Sequence, residues 1–148
     1  YLRPVKLLNR SLEVARRNIS RHELSERVTA IESDLFSSLT GRKYDLIVSN
    51  PPYVDRADLA SMPQEYQHEP DLALGSGSDG LDITKQILRQ AEQFLAEDGL
   101  LVIEVGNSEV HLQQQYPHIP FTWLELEAGG NGVFLLSAAE VKQYCSSV

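Results

Sequence analysis

The sequence predicts an α/β fold, a three-layer sandwich in which helices flank an open parallel sheet that ends in an antiparallel C-terminal hairpin. Two observations carry this. Short apolar runs, clearest at Tyr44-Asp45-Leu46-Ile47-Val48 and at Leu100 to Val105, alternate with stretches whose apolar residues recur at helical spacing. Two further strand-like segments, Phe121 to Leu126 and Val133 to Leu136, then follow around the turn-forming Ala128 to Gly132.

Taken in order, Tyr1 to Leu8 is expected to hold a short strand. Ser11 to Ser20 places Leu12, Ala15 and Ile19 on one side and Arg16 and Arg17 outward, an amphipathic helix capped by Asn9 or Ser11. Val28 to Glu32 reads as a strand ending near Asp34. Thr40-Gly41 turns the chain into a buried parallel strand at Tyr44 to Ser49. Asp55 to Asp79 is polar and without period, too long for an ordinary connection, and is expected to be a lid or substrate loop; the bland alternative is a mobile excursion. Leu81 to Leu95 has helical spacing through Ile83, Ile87, Leu88, Ala91 and Phe94, with Asp98-Gly99 closing it. Leu100 to Val105 is the next strand, Ser108 to Gln115 a short helix, and Ala138 to Tyr144 a terminal helix after the hairpin.

The 148 residues, 42% of them apolar, suit one domain with a real core. No apolar run approaches the ~20 residues that span a bilayer, and no signal-peptide pattern opens the chain, so a cytoplasmic protein with no membrane partner is expected. Cys145 stands alone, which excludes an internal disulfide and a cysteine-based zinc cluster. His22, His68, His111 and His118 lack metal-ligand spacing, and no metal is expected. Thirteen basic against twenty-one acidic residues leave a net charge of −8, which argues against gripping a nucleic-acid backbone and favours a protein substrate.

The stretch with chemical content is Asn50-Pro51-Pro52-Tyr53, placed where the strand from Tyr44 emerges. Open α/β sheets bind ligands at that end. Asn50 offers a side-chain carbonyl, and prolines, lacking N–H groups, hold the Pro51 carbonyl rigid and free to accept. Two fixed acceptors beside an aromatic ring suit a planar amino group. A bare Asn-Pro-Pro would more often be a turn, but the strand before it, Tyr53 after it, and Ser33-Asp34-Leu35-Phe36 closing the preceding apolar segment favour a site.

These segments, with Glu69-Pro70, Ala73-Leu74-Gly75, Asp79-Gly80-Leu81 and Glu104-Val105-Gly106-Asn107, resemble the S-adenosylmethionine-dependent protein-glutamine N-methyltransferases (HemK-like). Glu65 to Pro70, Pro120 to Glu125 and Gly129 to Phe134 resemble the branch that modifies a glutamine of large-subunit ribosomal protein three. The resemblance runs from about Ser11 to Phe134 and implies a Rossmann-like methyltransferase sheet, S-adenosylmethionine as cofactor and a ribosomal protein as partner. It further implies that Asn50, Pro51 and Tyr53 are catalytic, that Pro52 and Glu69 join them against the substrate, and that Asp34, Phe36 and Asn50 serve the cofactor. Isolated, Asp34 also reads as a helix N-cap, Tyr53 as a core-capping ring, Glu69 as a solvated charge and Glu104 as a structural hydrogen-bonding group.

The family's glycine-rich cofactor turn has no counterpart here, and Lys6 stands near the place of its ribose-binding acid. Residues 1–148 are therefore expected to be the C-terminal part of a catalytic domain, beginning around its second strand, inactive by itself and prone to self-association through the incomplete sheet. The expected reaction is methylation of a glutamine side-chain amide. The alternatives are methylation of an exocyclic amine in DNA or RNA, or a catalytically silent fragment.

Overall fold

A computed structural model describes residues 5–52, 79–125, 127 and 129–148. The chain divides into two compact units, Tyr1–Thr40 and Gly41–Val148.

In the first unit, α1 runs Val5–Arg21, with Leu12, Ala15 and Ile19 half-buried and Arg16, Arg17 and Asn18 exposed. The helix starts earlier than expected, so Val5 to Leu8 are helical rather than a strand, and Asn9 and Ser11 lie inside it rather than capping it. The reason is periodicity: Leu8 continues the stripe of Leu12, Ala15 and Ile19 by one more turn. The helix stops in a Schellman arrangement, in which the Leu24 N–H donates to Ile19 O (2.9 Å) and the Glu23 N–H to Ser20 O (3.1 Å). Glu23 itself sits at φ 57°. Val28 to Glu32 forms no strand. A ladder needs a partner for its N–H and C=O groups, and this unit has no other strand among its described residues.

The second unit holds β1 (Tyr44–Ser49), α2 (Asp82–Ala91), β2 (Leu95–Glu104), a 3-10 turn (Gly106–Ser108), α3 (Glu109–Gln115), β3 (Thr122–Trp123), β4 (Val133–Ser137), α4 (Ala138–Tyr144) and a second 3-10 turn (Cys145–Ser147). The sheet order is β1-β2-β4-β3, with β1 parallel to β2 and both other pairings antiparallel. This is the mixed α/β, Rossmann-like arrangement that the strand and helix alternation predicts, with the C-terminal hairpin in place.

Register sorts the side chains. Leu101 and Ile103 of β2 face Leu136 and Phe134 of β4, and all four are fully buried on one face. The alternate residues Leu46, Val48 and Leu100 are 54%, 66% and 37% exposed on the other. Thus β1 is parallel as expected but not buried: it is an edge strand among the described residues, paired on one side only.

The boundary between α2 and β2 also differs from the expected one. The helix ends at Ala91, and β2 begins at Leu95, so Asp98-Gly99 lies inside the strand instead of closing the helix. Tyr44 pairs with Leu95 but Leu46 with Leu100, a bulge that loops extra β2 residues outward. Gly99 makes it fit, because a Cβ there would meet Tyr44 O at 2.9 Å. At the other end of the unit, α4 starts from a capping box: Ser137 Oγ accepts from the Glu140 N–H (3.3 Å), and Glu140 Oε2 accepts from the Ser137 N–H (2.7 Å). Arg89 of α2 donates to the backbone oxygen of Val148, tying the C-terminus down.

Candidate active site

Asn50, Pro51 and Pro52 leave the C-terminal end of β1, the end at which β2 also terminates and β4 begins. Asn50 is exposed, Pro51 buried and Pro52 half-buried. A buried Pro51 fixes the direction of the backbone, while Asn50 stays exposed. Pairing of Ser49 with Ile103 sets Asn50 beside the level of Glu104, a half-buried carboxylate at the β2 end. Tyr53, Glu69 and most of the expected lid, 55–78, lie outside the described residues.

Ser33, Asp34 and Phe36 belong to the first unit, and Asn50 to the second. The Ser33 side chain organises the turn around them. Its hydroxyl donates to Leu35 O (2.8 Å) and accepts from the Ser38 N–H (3.0 Å), while the Asp34 N–H donates to Ser37 Oγ (3.1 Å). These bonds hold Leu35 at φ 50°, a left-handed conformation costly for a branched side chain. Asp34 is exposed on this turn, and Phe36 anchors it at 8% exposure. No helix begins here, so Asp34 is not an N-cap. The strain could not be read from residue types, although two serines four apart around an acidic residue signal a hydrogen-bonded turn.

At the far end of the expected lid segment, Asp79 joins two helices. Its carboxylate accepts from Gln115 Nε2 (2.6 Å), Lys85 Nζ (2.7 Å) and the Leu81 N–H (3.0 Å). Burial pushes this carboxyl up, but the bonds from Gln115, Lys85 and Leu81 and the Lys85 charge outweigh it and hold the pKa at about 2. The cluster went unread in the sequence because Gln115 lies 36 residues away, on α3.

The far edge of the sheet carries an aromatic group. Phe134 is fully buried, with the Phe121 ring 4.8 Å and the Trp123 ring 5.5 Å from it in edge-on contact. Phe121 and Trp123 pack on Phe134 along the strand pair and, with Tyr116, Pro117 and Pro120, line an open hollow of about 330 Å³. Among the described residues, no group of three His, Cys, Asp or Glu could hold a metal ion, and no helix is long and apolar enough to cross a membrane.

With this geometry in view, the chain can be compared with known proteins. A family model described as a methyltransferase small domain matches residues 5–65. A ribosomal protein uL3 glutamine methyltransferase of Francisella tularensis subsp. tularensis is 53% identical over 95% of this chain and 45% of its own length. One of the same name from Neisseria gonorrhoeae is 52% identical over 88% of this chain and 44% of its own length. Over most of its own length the chain is similar to these glutamine methyltransferases. It spans less than half the length of the curated relatives it matches.

Proposed function

We propose that residues 1–148 are part of a methyltransferase catalytic domain that, in the whole protein, transfers a methyl group from S-adenosylmethionine to a glutamine side-chain amide of a large-subunit ribosomal protein. The observation that carries this is the exit of β1, where an exposed Asn50 precedes a buried Pro51 at the end of the sheet at which β2 also terminates. The relatives that are 52–53% identical to this chain are named for the same reaction on ribosomal protein uL3.

The chain's donor and acceptor set fits the cofactor in part. Asp34, exposed on its strained turn, would accept the adenine amino group, with Phe36 supporting that turn from below. Bound S-adenosylmethionine supplies a sulfonium methyl that is already a strong electrophile. The remaining work is orientation, because an amide nitrogen is a poor nucleophile with its lone pair delocalised into the carbonyl. Asn50 Oδ1 and the Pro51 carbonyl accept the two amide hydrogens and aim the nitrogen. As positive charge grows on nitrogen, both acceptors bind it more strongly than in the ground state. Pro52 keeps the segment rigid, and Tyr53 and Glu69 are assigned to the substrate side of the site. The proton leaves to solvent after transfer.

A ribosomal-protein substrate places the reaction in the cytoplasm. The pairing of β1 on one side only among the described residues, with Leu46 and Val48 exposed, supports self-association of the chain when it is produced by itself. Methyl transfer from labelled cofactor to purified ribosomal protein, with DNA and RNA as parallel acceptors, tests the assignment. Label appearing only in nucleic acid would overturn it. Asn50→Ala in the whole protein is expected to lower turnover about 100-fold while cofactor affinity stays nearly intact.

A further inference from the structure

The whole net charge of the chain resides in one segment. Between Gln90 and Val141 there are eight Asp and Glu and no Lys or Arg, whereas the remaining residues carry thirteen of each sign. This segment builds β2, α3, β3 and β4, and therefore the aromatic hollow at the β3 edge.

The hollow also has a definite relation to Asn50. Ser49 pairs with Ile103, Ile103 with Phe134, and Phe134 with Trp123, so one cross-sheet row leads from the residue before Asn50 to the hollow. Three strand spacings make that row about 14 Å long. An extended peptide covers this in about four to five residues.

We propose that the hollow formed by Tyr116, Pro117, Pro120, Phe121 and Trp123 docks an arginine side chain of the protein substrate, four to five residues from the glutamine held at Asn50. The inference rests on the glutamine methyltransferase reading above and names what lies beside that glutamine. Two features select the occupant. Tyr116, Phe121 and Trp123 are half-buried rings able to stack on a flat guanidinium, which is more weakly hydrated than an ammonium. Around them, Glu125 is exposed two residues beyond Trp123, and Glu109 accepts from Gln113 Nε2 (3.2 Å) on the wall of the hollow, so the surroundings attract a cation. The same acidity repels a phosphate backbone. Proteins built to neutralise ribosomal RNA carry abundant Lys and Arg, which makes a basic segment available in such a substrate.

Trp123 is the chain's one tryptophan, so its fluorescence reports directly on the hollow. The 148-residue chain is titrated with acetylated ten-residue peptides that carry one glutamine and, five positions away, Arg, Lys, Leu or Ala. The Arg peptide is expected to change Trp123 emission saturably and to bind about tenfold tighter than the Ala peptide, with Lys between them and binding weakening as salt rises. Glu125→Lys, at an exposed position with little risk to folding, should weaken the Arg peptide about tenfold, and Tyr116→Ala should weaken it several-fold. A Leu peptide that binds as tightly as the Arg peptide, or single-stranded RNA that saturates the same signal, overturns the proposal. In the whole protein, the Arg peptide should show a lower KM than the Ala peptide at equal kcat, and equal KM values would overturn the docking site while leaving glutamine methylation intact. Arginine-selective binding at Trp123 with no methyl transfer would support the docking site and remove the reaction.

Discussion

Gly132 packs directly against the backbone of Gly106. A Cβ at Gly132 would lie 2.7 Å from Gly106 N and closer still to Gly106 O, and Gly132 stands at φ 71°. The contact joins the turn that follows β2 to the residue that enters β4, and the Val105 N–H donates to Gly132 O at 2.7 Å beside it. Both elements meet at the sheet end where Asn50 leaves β1, so this contact sets the rim of the candidate active site.

Gly132→Ala should consequently destabilise the protein by about 2–4 kcal/mol, combining a left-handed backbone with an overlap that no side-chain rotation relieves. Chemical denaturation with urea would read it. Gly129→Ala is the control, because its Cβ meets nothing within 4 Å although its φ is 85°. A much smaller loss at Gly129 would isolate the contribution of the Gly106 contact.

How legible this was in the sequence depended on the range of the interaction. The α4 helix at Ala138–Tyr144 and the strand at Tyr44–Ser49 were readable residue by residue, because caps, periodicity and flanking turns are local. Leu95 to Gly99 was misread as a helix end, since Asp-Gly resembles a helix stop and only the distant Tyr44 reveals a bulged strand there. The Asn50-Pro51-Pro52 placement at a strand exit was legible for the same local reason. The Asp79 cluster and the Gly106–Gly132 contact were not, because each joins residues far apart in sequence that folding alone brings together.

Glu23 offers a gain rather than a loss. It occupies the left-handed position that ends α1, where glycine avoids the Cβ penalty. Glu23→Gly is expected to stabilise the chain by about 0.5–1 kcal/mol after the unfolded-state entropy of glycine is subtracted. Glu23→Ala keeps the strain and should show no gain, which a pair of thermal melts distinguishes.

Cys145 is 1% exposed, and burial, reinforced by the nearby Glu140 charge, pushes its thiol up to about 11. Its alkylation by iodoacetamide at pH 8 should be slow and should accelerate sharply in denaturant, since the thiolate is the reactive form. The linkage is alkaline. The folded pKa lies above the unfolded value near 9, so stability from the neutral thiol is complete below pH 9 and lost as pH rises through about 11. Cys145→Ala should remove that part of the alkaline loss.

Asp79 works in the opposite direction. Its folded pKa of about 2 lies below the ordinary 3.8, so the stabilisation is complete above pH 4 and disappears as pH falls toward 2. Urea midpoints measured between pH 5 and 2 should therefore fall more steeply for the wild type than for Asp79→Asn, which has no carboxylate to protonate. Because Asp79 holds Lys85 of α2 and Gln115 of α3 at once, the variant should also lose stability at pH 7, by about 1–3 kcal/mol. Gln115→Ala and Lys85→Met should each reproduce part of that loss, and the double variant should lose less than the sum, because both act through the same carboxylate. Additive losses would show that the two helices are held independently of Asp79.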